Sequence, residues 1–521
     1  MKRTFVTAKW VILPLILLVA AAAARAAEKL APRVDVILWF DTEDYLLPAD
    51  DDAAKRLAEL LTQRGIRATF KVVGEKARVL EKRGRTDVID ALKKHDIAFH
   101  SNFHSVHPTP TEYLADCGLL DGVAEFVRRE GPGAVDVRRV FNVDSLSCYG
   151  QPGSSWASQA IVALPQIGVT SAGGVPCYVD SGSHVGLRGK PFWYAGALIV
   201  YDMRDNETRF DLHTAQALEP GKVQATKIAN RLREAGGGLI SIYYHPCEWV
   251  HQEFWDGVNF KRGANPPRQQ WKAPPQRPAK QTDEAFERFA SYIDHIAAIP
   301  DVHFITAREL PTRYPDKVRS VGATKEDLAE IALQLSAENS AGINSIVVDG
   351  KSYSPADQFE LLATALVTAI DGKEVSFPLM AKGLIGPDGQ PPASAEKEMT
   401  IDWAAFVMAV RDTENFVRVE HRIPARVFIG PDPVPPADFL VGMARVWKLM
   451  ATDGKLAVDQ PVRLGKGIEL LTIRSVAKDS PALFGGWIIA RERFMAPKVM
   501  ETARLQAWTL KPAIADGTGS K

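Results

Sequence analysis

VDVILWFDTEDY, residues 34–45, decides how the rest of the chain is read. A β-branched and aromatic run, Val34–Phe40, is followed at once by three acids, Asp41, Glu43 and Asp44. A short apolar run of this composition reads as a buried strand, here one whose C-terminal end delivers carboxylates. Comparable runs follow at RATFKVV (67–73), DIAFH (96–100), RRVFNV (138–143), GALIVYD (196–202), GLISIYY (238–244) and VHFIT (302–306). Segments with helical spacing separate most of them, among them DDAAKRLAELLTQRG and TEYLADCGLLDGVAEFVRREG. Strands alternating with helices argue for parallel βαβ units. Seven or eight such units over residues 33–316 make an α/β domain of barrel size. The stretch 250–280, rich in Trp, Pro, Gln and Arg, reads as an irregular insertion.

The strand ends of such a barrel carry its functional side chains, and three of them are loaded. The first ends in Asp41, Glu43 and Asp44. The third runs into HSNFHSVHP, which places His100, His104 and His107 within eight residues of a chain that has eleven histidines. The sixth ends in IYYHPCEW, with His245 and Glu248. Carboxylates from one strand end and an H-x-x-x-H pair from another supply the oxygen and nitrogen donors that suit a divalent metal. His107, before a proline, reads as a loop or rim residue, and His95 and His184 as surface histidines.

At the N-terminus Lys2, Arg3 and Lys9 precede the apolar run Trp10–Ala23 and the small-x-small triplet Ala24-Arg25-Ala26. That pattern predicts a cleaved signal peptide over residues 1–26 and an exported protein, periplasmic or extracellular. The chain has 63 basic and 63 acidic residues; without the four basic residues of this segment it has 59 against 63. A balance this even argues against nucleic-acid binding, which rests on a basic excess. Four cysteines, Cys117, Cys148, Cys177 and Cys247, show no zinc-type spacing and read as structural thiols or disulfides.

Past residue 323 the strand–helix alternation stops, and residues 323–521 read as a mainly helical or mixed accessory region. SPADQFELLATALVTAIDGK (354–373) is echoed by PPADFLVGMARVWKLMATDGK (435–455), with the Pro-Ala-Asp triplets 81 residues apart. Two related modules, about 340–400 and 425–510, are expected, each with an N-terminal cap and a glycine stop.

FDTEDY, HSNFH and IYYHP, taken in that order, resemble the motifs of the NodB-homology polysaccharide deacetylases, carbohydrate esterase family 4. The resemblance covers residues 34–315 and implies a distorted (β/α)7–8 barrel. It implies Asp41 as general base, His245 as general acid, and Asp44, His100 and His104 as ligands of one divalent ion, Zn2+ foremost, with Co2+ or Ni2+ as alternatives. Ser101 would fix the loop between the histidines. The substrate implied is an N- or O-acetylated polysaccharide or oligosaccharide, with the C-terminal region as a contact to a cell-wall polymer. Two features depart from the family. Thr42 and Glu43 separate Asp41 from Asp44, so Glu43 competes with Asp44 as the metal carboxylate. Gln151, in CYGQPGSSW, stands where the family has an arginine. Gln151 and Trp249 are the expected substrate contacts, and Asp180, Trp193 and Asp202 compete for the family's Asp–Trp motif. A non-catalytic glycan-binding barrel and an amidohydrolase of small C–N substrates are the rival readings.

Overall fold

The computed structural model describes residues 32–338, 342–454, 456 and 460–516; the signal peptide expected over 1–26 lies outside them. Strand β1 (Val34–Thr42) is buried along its whole length and pairs in parallel with three others: β2 (Thr69–Val72), β7 (Gly238–Tyr244) and β8 (Val302–Ile305). Beyond β2 lies β3 (Asp96–Phe99), again parallel. Single bridges from Phe99 to Tyr149 and from Tyr149 to Tyr178 carry the sheet on to β4 (Cys177–Val179). There β4 pairs with β6 (Ala197–Val200), and β6 pairs antiparallel with β5 (Phe192–Tyr194).

Both faces of β1 are covered, which is why its sequence is a continuous apolar run. Val34, Val36, Leu38 and Phe40 pack into the large cluster shared with the helices. Ile37 and Trp39 belong to a separate cluster, with Ala98, Cys148, Cys177, Val179 and Leu198 from strands and loops around the curved sheet. All four cysteines are unpaired.

The expected strand at 138–143 is instead the end of a helix, Leu119–Phe141. Val123, Phe126, Ala134, Val137 and Phe141 line its buried face at helical spacing, and Asn142 ends it in the left-handed region. Within so short a window the β-branched pair had outweighed this longer period.

In the C-terminal region each Pro-Ala-Asp triplet opens a helix, Pro355–Ile370 or Pro436–Asp453, directly after a two-stranded hairpin. Each hairpin in turn follows a helix, Lys325–Leu335 or Trp403–Glu420. The units interlock, since Lys325–Leu335 packs on Pro436–Asp453 and Pro355–Ile370 on Trp403–Glu420. Ser354 and Asp357 form a reciprocal capping box. The same Asp357 meets Lys511 at 2.9 Å, and Lys511 meets Asp316 at 2.8 Å. The terminal strand Lys511–Pro512 then pairs with β5, joining this region to the sheet.

Candidate metal centre and active site

Strand register brings the site residues together. Asp41 sits opposite Lys71 of β2, and Phe40 opposite Tyr244 of β7, so Asp41 and His245 leave neighbouring strands at one level. His100 leaves β3, which pairs with β2 on the far side. These strand ends open into a cavity of about 980 Å³ lined by Asp41, Glu43, His100, His104, Gln151 and His245.

The loop after β3 is held in an unusual backbone path. Ser101 and His104 both have positive φ, 65° and 56°, a strain that persists only where the surroundings over-determine it. Here the His104 amide donates to Ser101 Oγ at 3.1 Å, and the Asn102 amide donates to buried Glu130 at 2.6 Å. The loop thereby turns both imidazoles inward. His100 Nδ1 meets the Gly150 carbonyl at 3.0 Å and His104 Nδ1 meets Ser105 Oγ at 2.6 Å, which leaves both Nε2 atoms buried without a hydrogen-bond partner. Burial pushes His100 well below its ordinary pKa and His104 down to about 4, so both rings are neutral, as ligation requires.

The carboxylate facing them is Glu43, with Oε2 2.8 Å from His104 Nε2 and 3.6 Å from His100 Nε2. Asp44, the carboxylate expected there, points away. Its Oδ1 accepts from the Leu46 amide at 2.8 Å, and its Oδ2 lies 3.0 Å from His251 Nδ1. Asp44 thus caps the turn after β1, and that turn sends its side chain to the side opposite Glu43. Burial first, then the charges of Asp256, Asp41 and Asp44, raises the Glu43 carboxyl well above the ordinary range against the pull of His245. Two neutral imidazoles whose Nε2 atoms make no hydrogen bond, and a carboxylate crowded by other acids, fit a divalent cation.

Asp41 occupies the next position. Burial alone would raise its pKa, but the charges beside it, those of Lys71 and His245, hold it below the ordinary value. Lys71, fully buried, lies 2.8 Å from Asp41 Oδ1 and 2.9 Å from Asp180 Oδ2, and donates to the Val179 carbonyl at 3.0 Å. Gly150 makes room for it: a Cβ there would stand 2.0 Å from Lys71 Nζ. Lys71 therefore supplies the positive charge beside Asp41 that Gln151 lacks. Gln151 instead accepts from the Tyr178 hydroxyl at 2.5 Å and donates to the Gly153 carbonyl at 2.7 Å, in the cavity wall.

Across the cavity His245 Nε2 is 3.5 Å from Asp41 Oδ2, while its Nδ1 meets Glu248 at 2.8 Å. Burial opposes the charge on this ring, but Glu43 and Glu248 outweigh it and push His245 up to about 9. Arg209 in turn pairs with Glu248. A cation on Glu43 would cancel one of these influences and leave the Glu248 hydrogen bond in place.

Other expectations fail here. Trp249 is fully buried among Phe40, Tyr244, Phe286 and Phe289, because the short helix Cys247–Val250 turns it back into the core; it cannot reach a substrate. His95 and His184 are not surface residues. His95 takes the Ala68 amide in the core, and His184 stacks on Trp156 at the cavity edge. His107, by contrast, was read as a loop or rim residue outside the histidine pair, and it does lie apart, meeting Glu112 at 2.6 Å. Asp180 is in the site, whereas Trp193 belongs to the inner core and Asp202 pairs with Arg204.

Three site residues escaped the sequence reading. Lys71 gives a signal in retrospect, a lone cation alternating with Thr69 in an apolar strand. Asp256 and Trp487 give none. Trp487 Nε1 donates to Asp256 Oδ2 at 2.6 Å, and its ring stands edge-on to His104, centroids 5.3 Å apart.

No family model and no curated protein matches this chain. Solved structures similar to about half of it include a family 4 carbohydrate esterase from Streptomyces lividans in complex with acetate: 14% identity over 52% of this chain and 90% of that one, TM-score 0.26. A Puue allantoinase is 11% identical over 55% and 92%, with a TM-score of 0.35. A CE4 family pseudoenzyme from Bacillus anthracis is 11% identical over 53% and 65%, with a TM-score of 0.27. Likeness this slight leaves the chemistry to be read from the side chains.

Proposed function

We propose that this chain is an exported, divalent-metal-dependent hydrolase that removes acetyl groups from an N- or O-acetylated glycan, on a distorted (β/α)7–8 barrel. One observation carries the reading. The orphaned Nε2 atoms of His100 and His104 converge with Glu43 on one side of Asp41, and a charged His245 faces Asp41 from the other. Glu43, His100 and His104 would hold the ion, with Zn2+ foremost and Co2+ or Ni2+ also suited to the donors. When bound, such an ion supplies Lewis acidity to an acyl carbonyl and to water.

The chain's own residues divide the remaining work. Asp41, held ionised beside Lys71, accepts the proton of the attacking water. His245, kept protonated by Glu248, returns a proton to the departing nitrogen or oxygen. Because the base and the acid are fixed by separate partners, Lys71 and Glu248, their opposite protonation states coexist 3.5 Å apart. Export is inferred from the residue pattern over 1–26, and the N-terminal mass of the secreted protein, starting at Ala27, tests it.

The decisive experiment is elemental analysis of the purified protein beside His100→Ala, His104→Ala and Glu43→Gln, followed by an acetate-release screen. About one ion per chain, lost in the variants, is expected, together with acetate from acetylated oligosaccharides and none from small amides. An absence of bound metal after refilling with zinc, cobalt or nickel overturns the reading.

A further inference from the structure

The cavity has a roof made by a part of the chain remote from the strand ends. Residues 480–489 cross above it and are tied to both of its walls. On one wall, Ser154 Oγ donates to the Phe484 carbonyl at 2.5 Å, and a Cβ on Gly153 would stand 2.1 Å from the Trp487 ring. On the other, the amides of Arg262 and Gly263 donate to the carbonyls of Ile488 and Ile489 at 3.0 and 2.8 Å. Trp487 alone spans the gap, with its ring on Gly153 and its Nε1 on Asp256.

From this we infer that the segment makes the site a one-ended pocket, which takes a chain end or a short oligosaccharide and excludes a polymer lying through it. The inference rests on the deacetylase reading and names its substrate class. A polysaccharide processed at internal sugars needs a cleft open at both ends. Here the walls at Gly153 and Asp256 are bridged by a single indole within contact of a metal-binding histidine, so the chain has no exit on that side. The cavity volume, about 980 Å³, falls at the top of the roughly 300–1,000 Å³ of small-molecule sites. Its lining suits a short sugar: Phe254 and Trp487 bring aromatic rings to the cavity, while Ser183, Glu253 and Lys261 bring hydrogen-bonding groups.

The test compares acetate release from N-acetylchitooligosaccharides, di- to tetrasaccharide, with release from long soluble chitin, per acetyl group, using the full zinc-loaded chain. A second pair, acetylated xylo-oligosaccharides and acetylxylan, covers O-acetyl substrates. Short substrates are expected to lead in kcat/KM by about tenfold or more, and mass mapping of the tetrasaccharide to show a terminal sugar deacetylated first. Trp487→Ala removes the bridge and narrows the ratio. Ile488→Ala, which loosens the roof at Gly257 without touching a histidine, narrows it in the same direction. Metal content is measured in both, so that a disturbed His104 is recognised. Equal rates on the long polymer, or an unchanged ratio in both variants, overturn the inference and leave the hydrolase reading standing. Acetate from no substrate, with metal bound, overturns both.

Discussion

Two clusters of buried metal-type donors sit side by side and share His100: Glu43, His100 and His104 on one side, Asp41, His100 and Asp180 on the other. Composition does not separate them, since each offers carboxylate and imidazole. Their partners do. In the second cluster Lys71 Nζ already stands between the two carboxylates, 2.8 and 2.9 Å away, and serves as its cation. In the first, no cationic side chain among the described residues fills the centre, and the two Nε2 atoms make no hydrogen bond, although Glu43 lies close to both. A buried polar atom without a partner costs about 1–3 kcal/mol, so the first cluster is the one arranged for a ligand from outside. Donor types alone would have marked both sites as metal centres; counting satisfied partners marks one.

The contrast is tested most severely at its ligands. His100→Ala, His104→Ala or Glu43→Gln should abolish metal binding and lower acetate release by on the order of 10³ or more, whereas Asp180→Asn should keep the parent's metal content. Metal loss in the Asp180 variant would show that the two clusters act as one. Lys71→Met comes next. It leaves Asp41 and Asp180 buried without their cation, and breaking such a group costs about 3–5 kcal/mol, measured as a lowered urea midpoint. Excess Zn2+ should restore part of that stability in the variant, because the second cluster then lacks its own cation, and should add nothing to the zinc-loaded parent. An unshifted midpoint would mean that Lys71 is not what keeps the second cluster closed to metal.

Glu130 gives a third arrangement, a buried acid that among the described residues forms no ion pair and joins no metal-donor cluster, and that feels only the charge of nearby Arg129. Burial pushes it up to about 7, against the hydrogen bonds from the Asn102 amide and the Tyr113 hydroxyl. The folded chain therefore keeps a proton that the unfolded chain releases near 4.5. The stability this contributes is fully present below that value and is lost as pH rises towards 7. Glu130→Gln removes the loss, so the variant should gain on the parent between about pH 5 and pH 8, by on the order of 1–3 kcal/mol. Parallel urea titrations at the two pH values read it; a constant difference would place the Glu130 proton elsewhere.

What the sequence revealed follows from what is local. β1 and β7 were legible because strands buried on both faces are continuous apolar runs. His100 and His245 were legible because each follows such a run directly, and His104 because it stands four residues after His100. Lys71 was harder, since its role depends on a register that sets it opposite Asp41 across two strands. Trp487 was out of reach: it meets His104 only after the C-terminal region folds back over the cavity, and nothing in FGGWII records that contact. Trp249 misled for the opposite reason, because a tryptophan beside a motif histidine can turn either way and this one faces Phe286 and Phe289.

The smallest effect is expected where the motif reading and the geometry part, at Asp44. The family resemblance implies it as the metal carboxylate, with Glu43 as competitor; in the structure it is a turn residue. Its Oδ1 accepts from the Leu46 amide, its Oδ2 faces His251, and its carbonyl takes Lys76 Nζ at 2.6 Å. Asn in its place keeps an acceptor oxygen for Leu46 and turns an amide NH2 towards His251, which accepts it in the other ring tautomer. The carbonyl contact with Lys76 does not depend on the side chain at all. Asp44→Asn should therefore cost about 1 kcal/mol in stability and leave the metal content at the parent's level, while Glu43→Gln loses the ion. Metal analysis of the two variants, prepared side by side, separates the assignments. If the Asp44 variant comes out empty and the Glu43 variant full, the turn after β1 rearranges when the ion binds, and the family resemblance was the better guide to the ligand.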